Sequence, residues 1–148
     1  MKIKESKKER FSYWQQPVIE HGKITKWNWV VYHPENFQLG EKTDIGAFTA
    51  IFAHYGVMIE DEAQIGSHCS LYSISTIDDK QGPIVLKKNC RIGSHCVVMP
   101  GVTIGENTIV GALSFVNRDL PANEVWVGRP AQFMMTLEEY KKKKKRAK

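Results

Sequence analysis

Three histidines stand in stretches whose surroundings repeat. His68 and His95 hold the same place in two Ile-Gly-Ser-His-Cys hexads, and His54 sits in Ile51-Phe52-Ala53-His54-Tyr55-Gly56. A neutral imidazole near pH 7 is suited to take a proton from a hydroxyl or an amine, which makes His54 the leading candidate for a catalytic base. It lies just before a two-residue slip in the repeat, and a slip at a corner pushes backbone outward and can aim a side chain into a cleft. The competing reading is an exposed or interface histidine. His68 and His95 are candidates for a catalytic or substrate-binding role, with surface or interface packing as the alternative. Tyr72, Asp78 and Asp79 are candidate acceptor contacts, although adjacent acids in a loop also serve simply as a solvated turn. His21 and His33 fall in an aromatic N-terminal stretch and carry no special claim. The three cysteines have no metal-like spacing.

The elements that must position these groups follow from a period of six. From Leu86 to Val116 every sixth residue is a branched aliphatic: Leu86, Ile92, Val98, Ile104, Val110 and Val116. Neither a helix, at 3.6, nor a strand, at 2, explains that spacing. It reads as a β-solenoid in which each hexad is one short side of a three-sided coil. The fourth residue after each aliphatic is mostly small, and Cys69, Cys90 and Cys96 all fall there, as buried apolar thiols. Gly after the aliphatic is expected to help turn the corner. The row begins at Leu39, Ile45 and Ile51, slips, resumes at Ile59, Ile65 and Leu71, and breaks at Asp78–Pro83, a stretch with loop chemistry. Thr43, Thr49, Tyr55, Ala63 and Ser75 should also point inward. The expected organisation is an N-terminal cap at 1–38 with the first ten residues frayed, four coils over 39–121, and an extended segment, short helix and basic tail over 122–148.

At 148 residues the chain suits one domain. Its net charge of +5 is unevenly placed. Residues 141–148 hold seven basic side chains and residues 1–10 hold five, so the part between carries nine basic against fourteen acidic residues. A lysine run is usually a solvated tail, with contact to an anionic surface as the alternative. No basic face with aromatic platforms suggests nucleic-acid binding. No apolar run is long enough to span a membrane, so a cytoplasmic protein without membrane insertion is the expectation.

Between Ile92 and Ala131 the sequence resembles the hexapeptide-repeat acyltransferases. The matching stretches are Ile92-Gly93-Ser94-His95, Met99-Pro100-Gly101-Val102-Thr103-Ile104-Gly105, Val110-Gly111-Ala112, Asn117-Arg118-Asp119-Leu120-Pro121 and Val127-Gly128-Arg129-Pro130-Ala131. The resemblance covers Leu39–Ala131. It implies an all-β, left-handed parallel β-helix, a homotrimer with active sites between neighbouring prisms, and acetyl-CoA as co-substrate with no metal. Gly93, Gly111 and Ala112 become candidates to hold the thioester carbonyl and pantetheine arm through backbone N–H groups. Asn117, Arg118 and Arg129 become candidates for the cofactor's phosphates or adenine end.

The segment around His54 resembles loosely the His-Ala-Thr-Gly stretch of serine acetyltransferases. In galactoside-type O-acetyltransferases the base lies on the row before the long loop, and laying Leu71–Thr76 on that motif puts the histidine's place at or near Thr76. Threonine cannot act as that base, whereas an amine acceptor needs less help. The resemblance therefore favours N-acetylation of a sugar or nucleotide-linked amino sugar in surface-polysaccharide biosynthesis, with sugar O-acetylation as the alternative. Two readings of another class remain. One is a non-catalytic scaffold. The other is a γ-type carbonic anhydrase-like metalloprotein, which would need His54, His68 and His95 to converge on zinc and lacks that family's close ligand pair.

Overall fold

The structure, a computed structural model, describes residues 11–147; the expected fraying of the first ten lies outside them. Short strands stack into three walls. The first wall holds Val30–Tyr32, Ala50–Phe52, Ser70–Tyr72, Val97–Val98 and Phe115–Val116, all parallel. The second holds Phe37–Leu39, Val57–Ile59, Ile84–Leu86 and Thr103–Ile104, extended by a bridge from Ile104 to Leu120. The third runs from Asp44–Ile45 through Gln64–Ile65, Arg91–Ile92 and Ile109–Val110 to Glu124–Gly128, where Ala131–Thr136 folds back antiparallel. Each wall stacks one aliphatic column in register; Val31, Ile51, Leu71, Val98 and Val116 form the first. The three walls close into a left-handed parallel β-helix.

The columns make about five turns, one more than the sequence suggests. Val31 is fully buried and pairs beside Ile51, so the wall starts inside the segment expected to be a cap. The extra turn is hidden in the sequence because its steps are not six residues long. Trp29 closes the N-terminal end, and Trp14 covers it by donating its indole N–H to the Thr43 carbonyl at 3.0 Å. At the other end Trp126 continues the third column and is buried. Residues 137–146 form the expected C-terminal helix, capped by Thr136, whose hydroxyl accepts from the Glu139 N–H at 3.1 Å.

Eleven of the twelve repeat aliphatics are buried and Leu39 is half-buried. Each fully buried one contributes about 1.5–3 kcal/mol. The small residues beside them do more than fill space. Thr49 donates to the Gly66 carbonyl at 2.9 Å, and Cys69 and Cys96 donate to those of Gly93 and Gly111, both at 3.2 Å. They tie each coil to the next. The cysteines are free and buried, and burial pushes the Cys90 thiol up to about 12. Tyr55 and Ser75 do not point inward as the count of four predicts. Tyr55 is exposed, Ser75 is half-buried, and Ala53 and Ser73 take the interior places, because inserted residues at those corners reset the count.

The glycines also act differently from expectation. None of Gly46, Gly66 and Gly93 has a positive φ. A Cβ on them would lie 2.3 Å from the Ser67 amide nitrogen, 2.5 Å from that of Ser94 and 2.5 Å from that of Ala112. They are required because neighbouring coils approach too closely there for a side chain. The corner is turned by the residue two places later. Phe48, His68, His95 and Leu113 all adopt left-handed backbone, with φ between 56° and 65°. For non-glycine residues this costs about 1–2 kcal/mol each. Bonds between coils offset it, such as those from the His68 and His95 amides to the Ala47 and Ser67 carbonyls, both at 3.0 Å. Gly66→Ala should therefore destabilise the protein by about 1–3 kcal/mol in urea unfolding, as overpacking does. Leu71→Ala should cost about 2–5 kcal/mol through the cavity it leaves.

Candidate active site

One edge of the prism differs from the other two. Between the first and second walls, eight residues separate Val31 from Leu39 and Ile51 from Ile59, and fifteen separate Leu71 from Leu86. The next coil returns to six, from Val98 to Ile104. Three lengthened corners thus stack on one edge. The third is a hairpin pairing Ile74–Ser75 with Lys80–Gln81, the expected loop at Asp78–Pro83 included. Its base is fixed by Ser73, whose hydroxyl donates to the Phe52 carbonyl at 2.5 Å and accepts from the Tyr55 N–H at 2.9 Å.

The lengthened corners enclose an open cleft of about 490 Å³, lined by His54, Tyr55, Glu35, Asn36, Met58 and Pro83 among others. His54 is half-buried, and its Nδ1 is fully buried without a hydrogen-bond partner. An unpaired buried ring nitrogen is costly to a stable fold and useful to a site that exchanges protons. Burial holds the imidazole below the ordinary histidine range; His33 and His21 push the same way and Glu35 opposes them. His54 is therefore neutral at pH 7.

The structure adds neighbours that the sequence did not single out. His33 packs its ring 4.3 Å from that of His54, centroid to centroid, and His21 lies 4.7 Å beyond. The His33 Nδ1 meets the Glu35 carboxylate at 2.9 Å, and the His33 amide donates to the His21 Nδ1 at 2.9 Å. The Glu35 carboxyl is held below the usual carboxylate range by its own backbone N–H and by His33. The signal was available: Val31 to Leu39 is the same eight-residue step as Ile51 to Ile59, so His33 and His54 occupy equivalent corners.

The other candidates separate. Tyr72 joins the His54 edge through a stack of parallel rings, Tyr32 on Phe52 at 5.0 Å and Phe52 on Tyr72 at 4.8 Å. Asp78 sits on the hairpin and is engaged by the Ser75 hydroxyl at 2.6 Å and by Lys80 at 3.1 Å, which hold it below the usual range. Asp79 turns the hairpin with φ 53°. His68 and His95 do stack on one outer face, at 4.7 Å and 4° between planes. That face is the edge between the third and first walls, where Phe48 continues the stack 5.1 Å from His68. Within one chain they are not part of the His54 site. Among the described residues no three His, Cys, Asp or Glu side chains are grouped to hold a metal.

The residues suggested for a cofactor need one correction. The Gly93 N–H donates to the Val110 carbonyl at 2.8 Å and that of Gly111 to the Trp126 carbonyl at 2.9 Å. Both donors are spent on stacking and are not free to hold a carbonyl. Ala112 is exposed at the following corner position. Asn117, Arg118 and Arg129 are exposed on the last coil, with the Arg118 guanidinium 4.8 Å over the Trp126 ring.

Because the folded His54 binds its proton less readily than the unfolded chain, it favours folding fully above about pH 6.5, and that contribution is lost as pH falls below it. Urea unfolding between about pH 5 and 7.5 should show a steeper acid loss for the wild type than for His54→Gln. Equal slopes would mean that the imidazole titrates as it does in water.

Comparison with known proteins agrees with this geometry. Residues 83–118 match the model of the bacterial transferase hexapeptide family (six repeats). The chain is 38% identical over 103 residues to WcaF of Escherichia coli K12, a protein named for acetyl transfer in colanic acid biosynthesis; the match covers 70% of this chain and 52% of WcaF. Other curated relatives are matched over a smaller share of their length, 30% for those of Staphylococcus aureus. Among solved structures, a hexapeptide-repeat acetyltransferase from Vibrio cholerae in complex with acetyl-CoA superposes with a TM-score of 0.70 at 27% identity, over 74% of this chain and 64% of that one. The Bacillus cereus N-acyltransferase AntD shares the fold with a TM-score of 0.65 at 24% identity, over 84% and 88%. The six-residue repeat and the three-walled coil are thus features that this chain shares with hexapeptide-repeat acetyltransferases, although it spans only about half the length of WcaF.

Proposed function

We propose that the chain catalyses acetyl transfer from acetyl-CoA to the amine of a sugar, carried on a nucleotide, with His54 as the proton acceptor. The observation that carries this is the buried, unpartnered Nδ1 of His54 in a cleft built by stacked insertions on one edge of the prism. The acceptor nitrogen attacks the acyl carbonyl, its proton passes to the imidazole, and the thiol leaves. Acetyl-CoA when bound supplies the activated acyl group; the chain's part is to hold the acceptor and receive the proton.

The residues present fit such a co-substrate. Arg118 and Arg129 are exposed cations suited to phosphate. Ala112, with no bulk beyond Cβ, leaves room for the pantetheine arm. The V. cholerae structure contains acetyl-CoA, and AntD was solved with dTDP-4-amino-4,6-dideoxyglucose and coenzyme A, which supports the amino-sugar reading. So does the sequence overlay that puts the O-acetylating relatives' base at or near Thr76. Sugar O-acetylation is the second reading, supported by the stretch shared with the galactoside O-acetyltransferase of Escherichia coli K12, and the likeness to WcaF supports a place in surface-polysaccharide synthesis. We further propose a cytoplasmic homotrimer. Assembly around a three-fold axis would set a neighbour's wall beside each cleft and bring the His68–His95 edge of one copy toward the His54 edge of the next.

Turnover assays with a panel of amino- and hydroxyl-bearing nucleotide sugars test the reading. Acetyl-CoA should be consumed with an amino sugar, and His54→Ala should lower kcat/KM by about 10²–10⁴-fold without weakening CoA binding. The wild-type profile of kcat/KM should fall on the acid side with a midpoint below about 6.5. Unchanged turnover in His54→Ala would move the base elsewhere; His68→Asn and His95→Asn, measured alongside, would show whether it moved to the other edge. Sedimentation should give three times the 16.9 kDa chain mass, and a monomer would remove the shared cleft.

A further inference from the structure

The C-terminal helix is the most strongly charged element of the molecule and takes no part in the cleft. Residues 141–146 are five lysines and an arginine, all exposed. Lys142 pairs with Glu138 at 3.4 Å; among the described residues no ion pair holds the other five. The charge is not a property of the whole surface, since residues 11–140 are net acidic. Nor does the helix need so many cations to be stable. Its N-terminal end is capped by Thr136 and carries Glu138 and Glu139, and one or two basic residues in the last turn would satisfy its dipole.

The approach to the helix is apolar. Phe133 and Met134, on the strand that runs into it, are 52% and 57% exposed, although the strand also contributes the buried Ala131 and Met135. Exposed large apolar side chains next to a block of unpaired cations form the pairing that binds the boundary of an anionic bilayer, where headgroups meet the cations and apolar side chains enter the acyl edge. A dissolved phosphate ligand would engage two or three of these cations and gain nothing from Phe133 and Met134. A nucleic-acid backbone would engage more cations but likewise leave the apolar pair idle.

We propose that the C-terminal helix, with Phe133 and Met134, is a peripheral docking surface for a bilayer rich in anionic phospholipid. The surface is separate from the His54 cleft and holds whether or not the acetyl-transfer reading does. It would place the enzyme beside membrane-associated steps that supply or consume its acceptor.

The full chain should be sedimented with vesicles of phosphatidylcholine alone and with vesicles containing about 30% phosphatidylglycerol. It should partition to the anionic vesicles at least about ten-fold more strongly, and about 0.5 M salt should release most of it as screening shortens. The triple variant Lys141→Gln/Lys143→Gln/Lys145→Gln should bind about 100-fold more weakly, at roughly five-fold per charge, with unchanged thermal midpoint and turnover. Phe133→Ser should lower the part of the binding that survives salt. Equal partition to both vesicle types would overturn the proposal, as would wild-type binding by the triple variant. So would a duplex RNA or coenzyme A that binds the helix more tightly than the anionic vesicles do.

Discussion

Everything in this protein is subordinate to the stacking of one coil on the next. Parallel strands in register require each backbone N–H to find a carbonyl on the adjacent coil, whose strand lies about 4.8 Å away. That requirement leaves little freedom within a wall, and even a methyl group on Gly46, Gly66 or Gly93 would collide with the coil above. Additional residues can therefore leave the prism only at corners. Two of the three edges are regular, each turned by a column of residues in left-handed backbone. All the long excursions are on the third. The cleft follows from the same rule that forms the core, since irregularity is expelled to the one edge where it is tolerated.

The stacking rule also governs what chemistry the backbone can do. Small residues near a cofactor invite the reading that their amides bind it, and Gly93 and Gly111 look suitable by that standard. Their amides are already committed to Val110 and Trp126. In a solenoid, interior rungs have no spare donors; those that remain belong to corners and to the last coil. Polarisation of a carbonyl must come from corner positions such as Ala112, or from side chains. Conversely, a ring nitrogen left without a partner in so thoroughly paired a molecule, as at His54, is conspicuous.

The same reasoning explains which features the sequence made legible. The aliphatic columns from Leu39 onward, the inward cysteines, the break in the row at Asp78–Pro83 and the His68–His95 stack all follow from counting by six. The start of the first wall does not, because Val31 and Leu39 are eight apart, a step that shows only when it is set beside the equal one from Ile51 to Ile59. Tyr55 and Ser75 were misplaced for the same reason. The glycines were found but given the wrong task. A residue that makes room and one that turns a corner look alike in sequence, and the backbone angles of His68 and His95 separate them. His33 carried no special claim in the sequence, and Glu35 none at all, because their proximity to His54 depends on two eight-residue corners lying one above the other.

The cluster at that edge bears on the acceptor proposed above. His54 and Glu35 line the cleft, His33 packs against His54 and His21 against His33, and burial, then His33 and His21, disfavour charge on His54. A base held below its ordinary range is a weak one, poorly matched to pulling a proton from a sugar hydroxyl before attack. It is well matched to a neutral amine, which attacks unaided and becomes acidic only as the new bond to carbon forms. The proton then moves downhill even to a weak imidazole. The lowered basicity of His54 thus accords with the amine acceptor proposed above, since a nucleophile already reactive needs a proton acceptor that is present rather than strong.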